Sequence, residues 1–203
     1  MVIGEEFAWA HLPKTGGDTT RTLFESFPGL VQFADPGDTN AKHVTFHDRI
    51  ATVRGKLLAM NVRRLPAWVL SRAHHVAREG VWPDYTPVPM PATSELAEST
   101  LPDERLEYFA FRGPLRVERW LRLEHLREDF LALVSDLTEV TAAQAQRVRQ
   151  LPALDVAHYD REPSHWFSAA QLHLMYERNP RWAALERELY GGLLAPAPEP
   201  ASV

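Results

Sequence analysis

The chain has 203 residues, 45% hydrophobic and 24% charged, with a formal net charge of -5 and no cysteine. That balance fits one globular domain, or one domain with an appended subdomain, and excludes disulfides, thiolate catalysis and Cys-ligated zinc. A general nucleic-acid coat does not fit an acidic chain, no apolar run approaches bilayer length, and Met1 to Glu6 lacks the basic-then-apolar opening of a secretory signal. The expected location is therefore cytoplasmic, with no membrane or nucleic-acid partner.

In chain order, Phe7 to Leu12 reads as a buried strand, short and mostly apolar without alternation. Pro13 to Gly17 breaks it, and Thr19 to Phe27 reads as a helix with Leu23, Phe24 and Phe27 on one face. Pro28-Gly29 ends that helix, Leu30 to Phe33 is a second short strand, and Asp35 to Asp38 is a turn. Thr45 to Val53 is expected to be helical, Lys56 to Val62 a clear apolar strand, and Pro66 to Glu79 a helix with proline in its first turn. Pro83, Pro87, Pro89 and Pro91 mark an extended loop from Trp82, a candidate lid. Ser94 to Phe111 is partly helical. Glu118 to Leu123 reads as a strand, followed by helices from His125 to Leu137 and Thr141 to Gln150. Ser168 caps a helix from Ala169 to Arg178, and Arg181 to Tyr190 continues beyond Asn179-Pro180. Strands alternating with helices predict an α/β fold with a mainly parallel sheet, one domain over 1–193, and a Pro/Ala-rich tail over 194–203 expected to be disordered.

The residues at the first strand end have a chemical logic. Lys14, Thr15, Gly16, Gly17, Thr19 and Thr20 sit where strand gives way to helix. Glycines allow the backbone close to a ligand, the helix start offers N–H donors and a positive dipole end, and Lys14 adds a full charge. Lys14 is one of only three lysines, with Lys42 and Lys56, in an otherwise Arg-based chain. The order of residues differs from a Walker A loop, because the lysine precedes the glycines. Arg63, at the end of the second apolar strand, brings a planar fork suited to phosphate, and Ser71 in the next helix offers a hydroxyl. His43 is a candidate general base. His47 would share a helical face with it, a conceivable zinc pair for which no third ligand declares itself, and no metal is expected.

His11-Leu12-Pro13-Lys14-Thr15-Gly16-Gly17 closely resembles the 5′-phosphosulfate loop of sulfotransferases, the carbohydrate-type and bacterial enzymes with H-[IL]-P-K-T-G-G-T. Val62-Arg63 through Ser71 is similar to the family's 3′-phosphate segment, V-R-[DN]-P-x-x-R-[LV]-x-S, without its Asp/Asn-Pro pair or inner arginine. Trp120 to Phe130 is similar to the family's R-x-E-x-L-x-x-D-[FP] segment, and Tyr176 through Gly191 to the family's final Y-x-x-D…YG stretch. Asp18 stands where the family has Thr. The resemblance implies a single P-loop-like domain that transfers a sulfuryl group from 3′-phosphoadenosine 5′-phosphosulfate (PAPS) to a small-molecule or carbohydrate hydroxyl, releasing PAP. It gives Lys14 the leaving group, the loop and its threonines the 5′ phosphate, Arg63 and Ser71 the 3′ phosphate, and His43 the base, at the histidine of a family G-H-V-x-[FY] segment whose Gly is replaced here by Lys42. The rival readings are a non-catalytic PAPS/PAP-binding protein, a nucleotide kinase and a scaffold with a vestigial site.

Overall fold

Five consecutive buried residues, Phe7–His11, form the central strand of the fold in a computed structural model that describes residues 1–37, 43–77, 90–154 and 158–194. Lys42, most of the proline-rich loop from Trp82, and the tail from 195 lie outside the described residues. The chain divides into two compact units, one of Met1–Arg63 with Arg105–Val156, the other of Arg64–Glu104 with Ala157–Val203.

The first unit is a five-stranded sheet. Its strands are β1 (Val2–Ile3), β2 (Phe7–His11), β3 (Phe33–Ala34), β4 (Leu57–Val62) and β5 (Arg119–Arg122), in the order β3-β1-β2-β4-β5. The middle is parallel as the sequence predicts: β2 pairs with β4, and β4 with β5. The other edge is antiparallel, because Gly4 to Glu6 turns β1 directly back onto β2 and β3 pairs with β1. The Gly4 N–H closes that turn onto the Phe7 carbonyl at 2.9 Å.

Alternation in β2 sends Phe7, Trp9 and His11 to one face. Helix α1 (Gly17–Phe24) covers that face, with Phe24 stacked on Phe7 at 5.3 Å and meeting Phe130 edge-on at 4.9 Å. Phe130 lies on α6 (Leu126–Ser135), which follows a short 3-10 turn after β5. A capping box of Thr141 and Gln144 opens α7 (Ala142–Gln150).

One expected helix is shorter than predicted. Helix α2 covers only Ile50–Val53. The Thr45 N–H and hydroxyl both donate to the Asp48 carboxylate, at 2.9 and 2.7 Å. Phe46 to Arg49 then wind with bonds three residues apart. A local side-chain ring has displaced the first helical turn, and the Thr45 hydrogen bonds hold the Asp48 carboxyl below its usual range.

The second unit is helical: α3 (Leu65–Ala77), α4 (Thr93–Glu98), the start of α5 (Leu101–Leu106), α8 (Pro163–Trp166), α9 (Ala169–Arg178) and α10 (Pro180–Tyr190). Ser168 caps α9 in a capping box with Gln171, as its sequence predicts. Trp68 on α3 packs against Trp182 on α10 at 5.0 Å. Two helix starts are satisfied from a distance. Glu186 accepts from the Leu65 N–H at 2.8 Å, and Asp103 accepts from the Arg181 and Trp182 N–H groups, each at 2.8 Å. These carboxylates also suit the positive ends of the helices they meet. No described helix is long and apolar enough to cross a membrane.

Candidate functional site

Parallel strands present their carboxyl ends at one sheet edge, and register fixes what meets there. His11 pairs with Asn61 and Val62 with Arg122. The Leu12 to Gly17 loop, Arg63 and the turn after β5 therefore leave the same edge, where open α/β sheets place ligands.

Two residues of the loop are left-handed, Lys14 at φ 71° and Gly16 at φ 85°. For lysine that conformation costs on the order of 1 kcal/mol or more. Three hydrogen bonds support it from within. The Thr15 hydroxyl donates to the Leu12 carbonyl at 2.6 Å, and the Asn61 amide donates to the Thr15 carbonyl at 2.9 Å and to the Thr20 hydroxyl oxygen at 2.7 Å. Asn61 itself accepts from the Trp9 indole N–H at 2.6 Å. Thr20 donates back to the Gly16 carbonyl at 3.1 Å, and the Thr19 hydroxyl accepts from the Leu154 N–H at 3.0 Å. Thr15, Thr19 and Thr20 are all buried, with hydroxyls engaged in the loop's own framework. Gly16 contributes no side-chain cap to α1, and Asp18 follows in the first helical turn, half-buried.

Each glycine has its own spatial reason. A Cβ on Gly16 would lie 2.4 Å from Leu123 Cδ1, and one on Gly17 would lie 2.1 Å from His11 Cδ2. Leu123 offers the end of a flexible side chain, whereas the His11 ring is buried against Trp9 and can yield only slightly. Gly17→Ala should accordingly destabilise the fold by about 1–3 kcal/mol through overpacking. Urea unfolding measures this, with Gly29→Ala as control because nothing lies within 4 Å of the Cβ it would add.

His43, remote from the loop in sequence, arrives beside it. Its ring lies 4.8 Å from the His11 ring, tilted by 58°, and His11 stacks on Trp9 at 5.2 Å. His47 goes elsewhere. No helix joins it to His43, and its Nδ1 sits where a Cβ on Gly113 would come within 2.9 Å. The shared helical face expected of the two histidines is thus corrected by the Thr45–Asp48 ring, which delays the helix until Ile50. Among the described residues no group of three or more His, Asp or Glu could hold a metal ion. Ser71 belongs to the second unit, on α3, and is nearly buried.

Two residues escaped the sequence reading: His11, as neighbour to His43 and Gly17, and Asn61, as hub of the loop. Alternation along β2 was the available signal for His11, since it shares a face with Trp9. Nothing local announces Asn61, whose partners are far away in sequence.

The chain was compared with family models, curated proteins and solved structures. None of them matches it. The third similar segment finds a structural use: Arg122 and Asp129 form a forked pair, with guanidinium bonds of 2.8 and 2.7 Å and the Arg122 N–H at 2.8 Å, tying the end of β5 to α6. Of two surface depressions, one is lined by residues that include Gln146 and Pro152 and the other by residues that include His173 and Arg187, and neither lining includes a loop residue.

Proposed function

We propose that this chain is a sulfotransferase on a P-loop-like α/β fold, using PAPS as sulfuryl donor and a hydroxyl acceptor of small-molecule or carbohydrate type. The observation that carries the reading is the meeting of His43 with the phosphate loop through His11. A base and a phosphate cradle derived separately from the sequence lie one imidazole apart.

The residues present fit such a donor. Gly17 lets the buried His11 ring pack against the start of α1, the first turn of α1 has no side-chain cap from Gly16, and Lys14 is held in a left-handed conformation in the loop. Lys14 and the backbone N–H groups at the start of α1 would hold the 5′ phosphate, and Arg63 at the same sheet edge would hold the 3′ phosphate. PAPS supplies an activated sulfuryl group. Lys14 offsets charge on the leaving phosphate, and His43 accepts the acceptor's hydroxyl proton. Fixed cations and backbone dipoles supply the stabilisation, by analogy with phosphoryl transfer.

Calorimetry with PAP and ATP tests the assignment. PAP should bind, ATP should bind weakly, and Lys14→Ala and Arg63→Ala should each weaken PAP by roughly tenfold to a hundredfold, the worth of one charge-assisted hydrogen bond. Folded wild-type protein that ignores PAP would sink the reading.

Asp18 favours a second reading, a non-catalytic PAP-binding protein. Its carboxylate stands in the first turn of α1, where it repels a bound phosphate. PAP binding without sulfated product across a broad acceptor panel would select that reading.

A further inference from the structure

His11 has no part in the chemistry assigned above, yet it touches both halves of it. It is the last residue of β2 and only 4% exposed. Trp9 covers one ring face, nearly parallel at 13°. The edge bearing Cδ2 and Nε2 lies against Gly17, where an added Cβ would sit 2.1 and 2.3 Å from those atoms. The ring of His43 meets it at 4.8 Å. Phe7 and Trp9 show that apolar bodies satisfy packing on this face of β2. Burying a ring with two polar nitrogens there is costly unless those atoms are used.

We propose that His11 is a positioning residue that couples the phosphate loop to His43. It fixes the orientation of the His43 ring, and it moves when an anion engages the start of α1. A phosphate drawn onto the first N–H groups of α1 shifts the backbone at Gly17. The His11 edge packed there follows, since close-packed interiors transmit small displacements, and the His43 ring is realigned. Loop occupancy thereby sets the base in its working orientation, an alignment effect rather than a chemical step. The inference rests on the proposed reading of the loop and His43.

The test follows the imidazole resonances of histidine-labelled protein during a PAP titration, with PAP affinity measured in parallel by calorimetry. His11→Phe and His43→Asn assign the signals. In wild type, saturating PAP should shift both His11 and His43. In His11→Phe, which keeps a flat ring on Trp9, PAP should bind within about threefold of wild type while the shift at His43 disappears. His11→Gln, which restores side-chain hydrogen-bonding atoms, should recover part of it. An unchanged His43 shift in His11→Phe overturns the inference and leaves the proposed function standing. Absence of PAP binding to folded wild type overturns both. If His11→Phe does not fold, the wild-type spectra decide: a His11 signal unmoved at PAP saturation overturns the coupling.

Discussion

Asn61→Leu should lower the stability of the first unit by about 3–5 kcal/mol, because one substitution strands several buried polar groups. Asn61 is 1% exposed, and its amide serves Trp9, Thr15 and Thr20 together. Leucine keeps the branched outline of asparagine but leaves the Trp9 indole N–H, held at 2.6 Å in the native protein, without an acceptor in an apolar face. The Thr15 carbonyl loses its donor at the point where the chain is strained into the left-handed conformation of Lys14 and Gly16. Chemical unfolding followed by Trp fluorescence measures the loss. Asn61→Asp separates the contributions, since it retains an acceptor for Trp9 and removes both donors. If Asn61→Leu costs less than about 1 kcal/mol, the ordinary net worth of a single hydrogen bond, the loop does not depend on this hub.

Glu186→Gln should lower the stability of the second unit by about 1–3 kcal/mol, and Glu186→Ala should cost more, about 3–5 kcal/mol for a buried ion pair broken from one side. Glu186 is 1% exposed and receives three donors: Arg64 at 2.8 Å, the Leu65 N–H at 2.8 Å and the Tyr176 hydroxyl at 2.8 Å. Arg64 continues to the Gly192 carbonyl at 3.0 Å and lies over the Tyr190 ring at 4.3 Å. Burial, then the adjacent Glu186 carboxylate, push the Tyr176 phenol far above its usual range, so it stays a donor across any accessible pH. Gln keeps the shape and one acceptor while removing the charge, so the Gln–Ala difference separates charge from geometry. Thermal unfolding of both variants is the measurement. A change in Tm no larger than that of an exposed Glu188→Gln control would show that the network adds no net stability.

What was legible in the sequence was local. The β2–loop–α1 unit could be read because apolar run, glycines and helix start are contiguous, and Ser168 announced its helix as a cap. The two-residue strand β1 carries too few residues to show a period and is defined by pairing alone; the strand expected at Leu30 to Phe33 begins only at Phe33, as β3, because Pro28–Leu30 winds into a 3-10 turn first. Helix α2 was over-read because Thr45 and Asp48 bond each other in preference to continuing the helix. At the candidate site, Lys14 and its glycines were visible as a pattern. The arrival of His43 at His11 was not, because it depends on the path of the chain after β3. Distant caps such as Glu186 on α3 and Asp103 on α10 also escape a linear reading, since each residue looks like an ordinary surface acid of its own helix.

The route of the chain through its two units has a consequence during synthesis. The polypeptide leaves the first unit after Arg63 and rejoins it at Arg105, so β4 emerges from the ribosome well before β5, its neighbour on that side. Until Arg119 to Arg122 appear, Leu57–Val62 is an apolar strand with one hydrogen-bonding edge unsatisfied, and the sheet face around Trp9 and Phe24 awaits Phe130. Such an edge templates pairing between nascent chains. Lys56 before the strand and Arg63-Arg64 after it place like charges at both ends of the exposed segment. In neighbouring nascent chains on one messenger, those charges oppose the in-register stacking that the bare strand would otherwise invite.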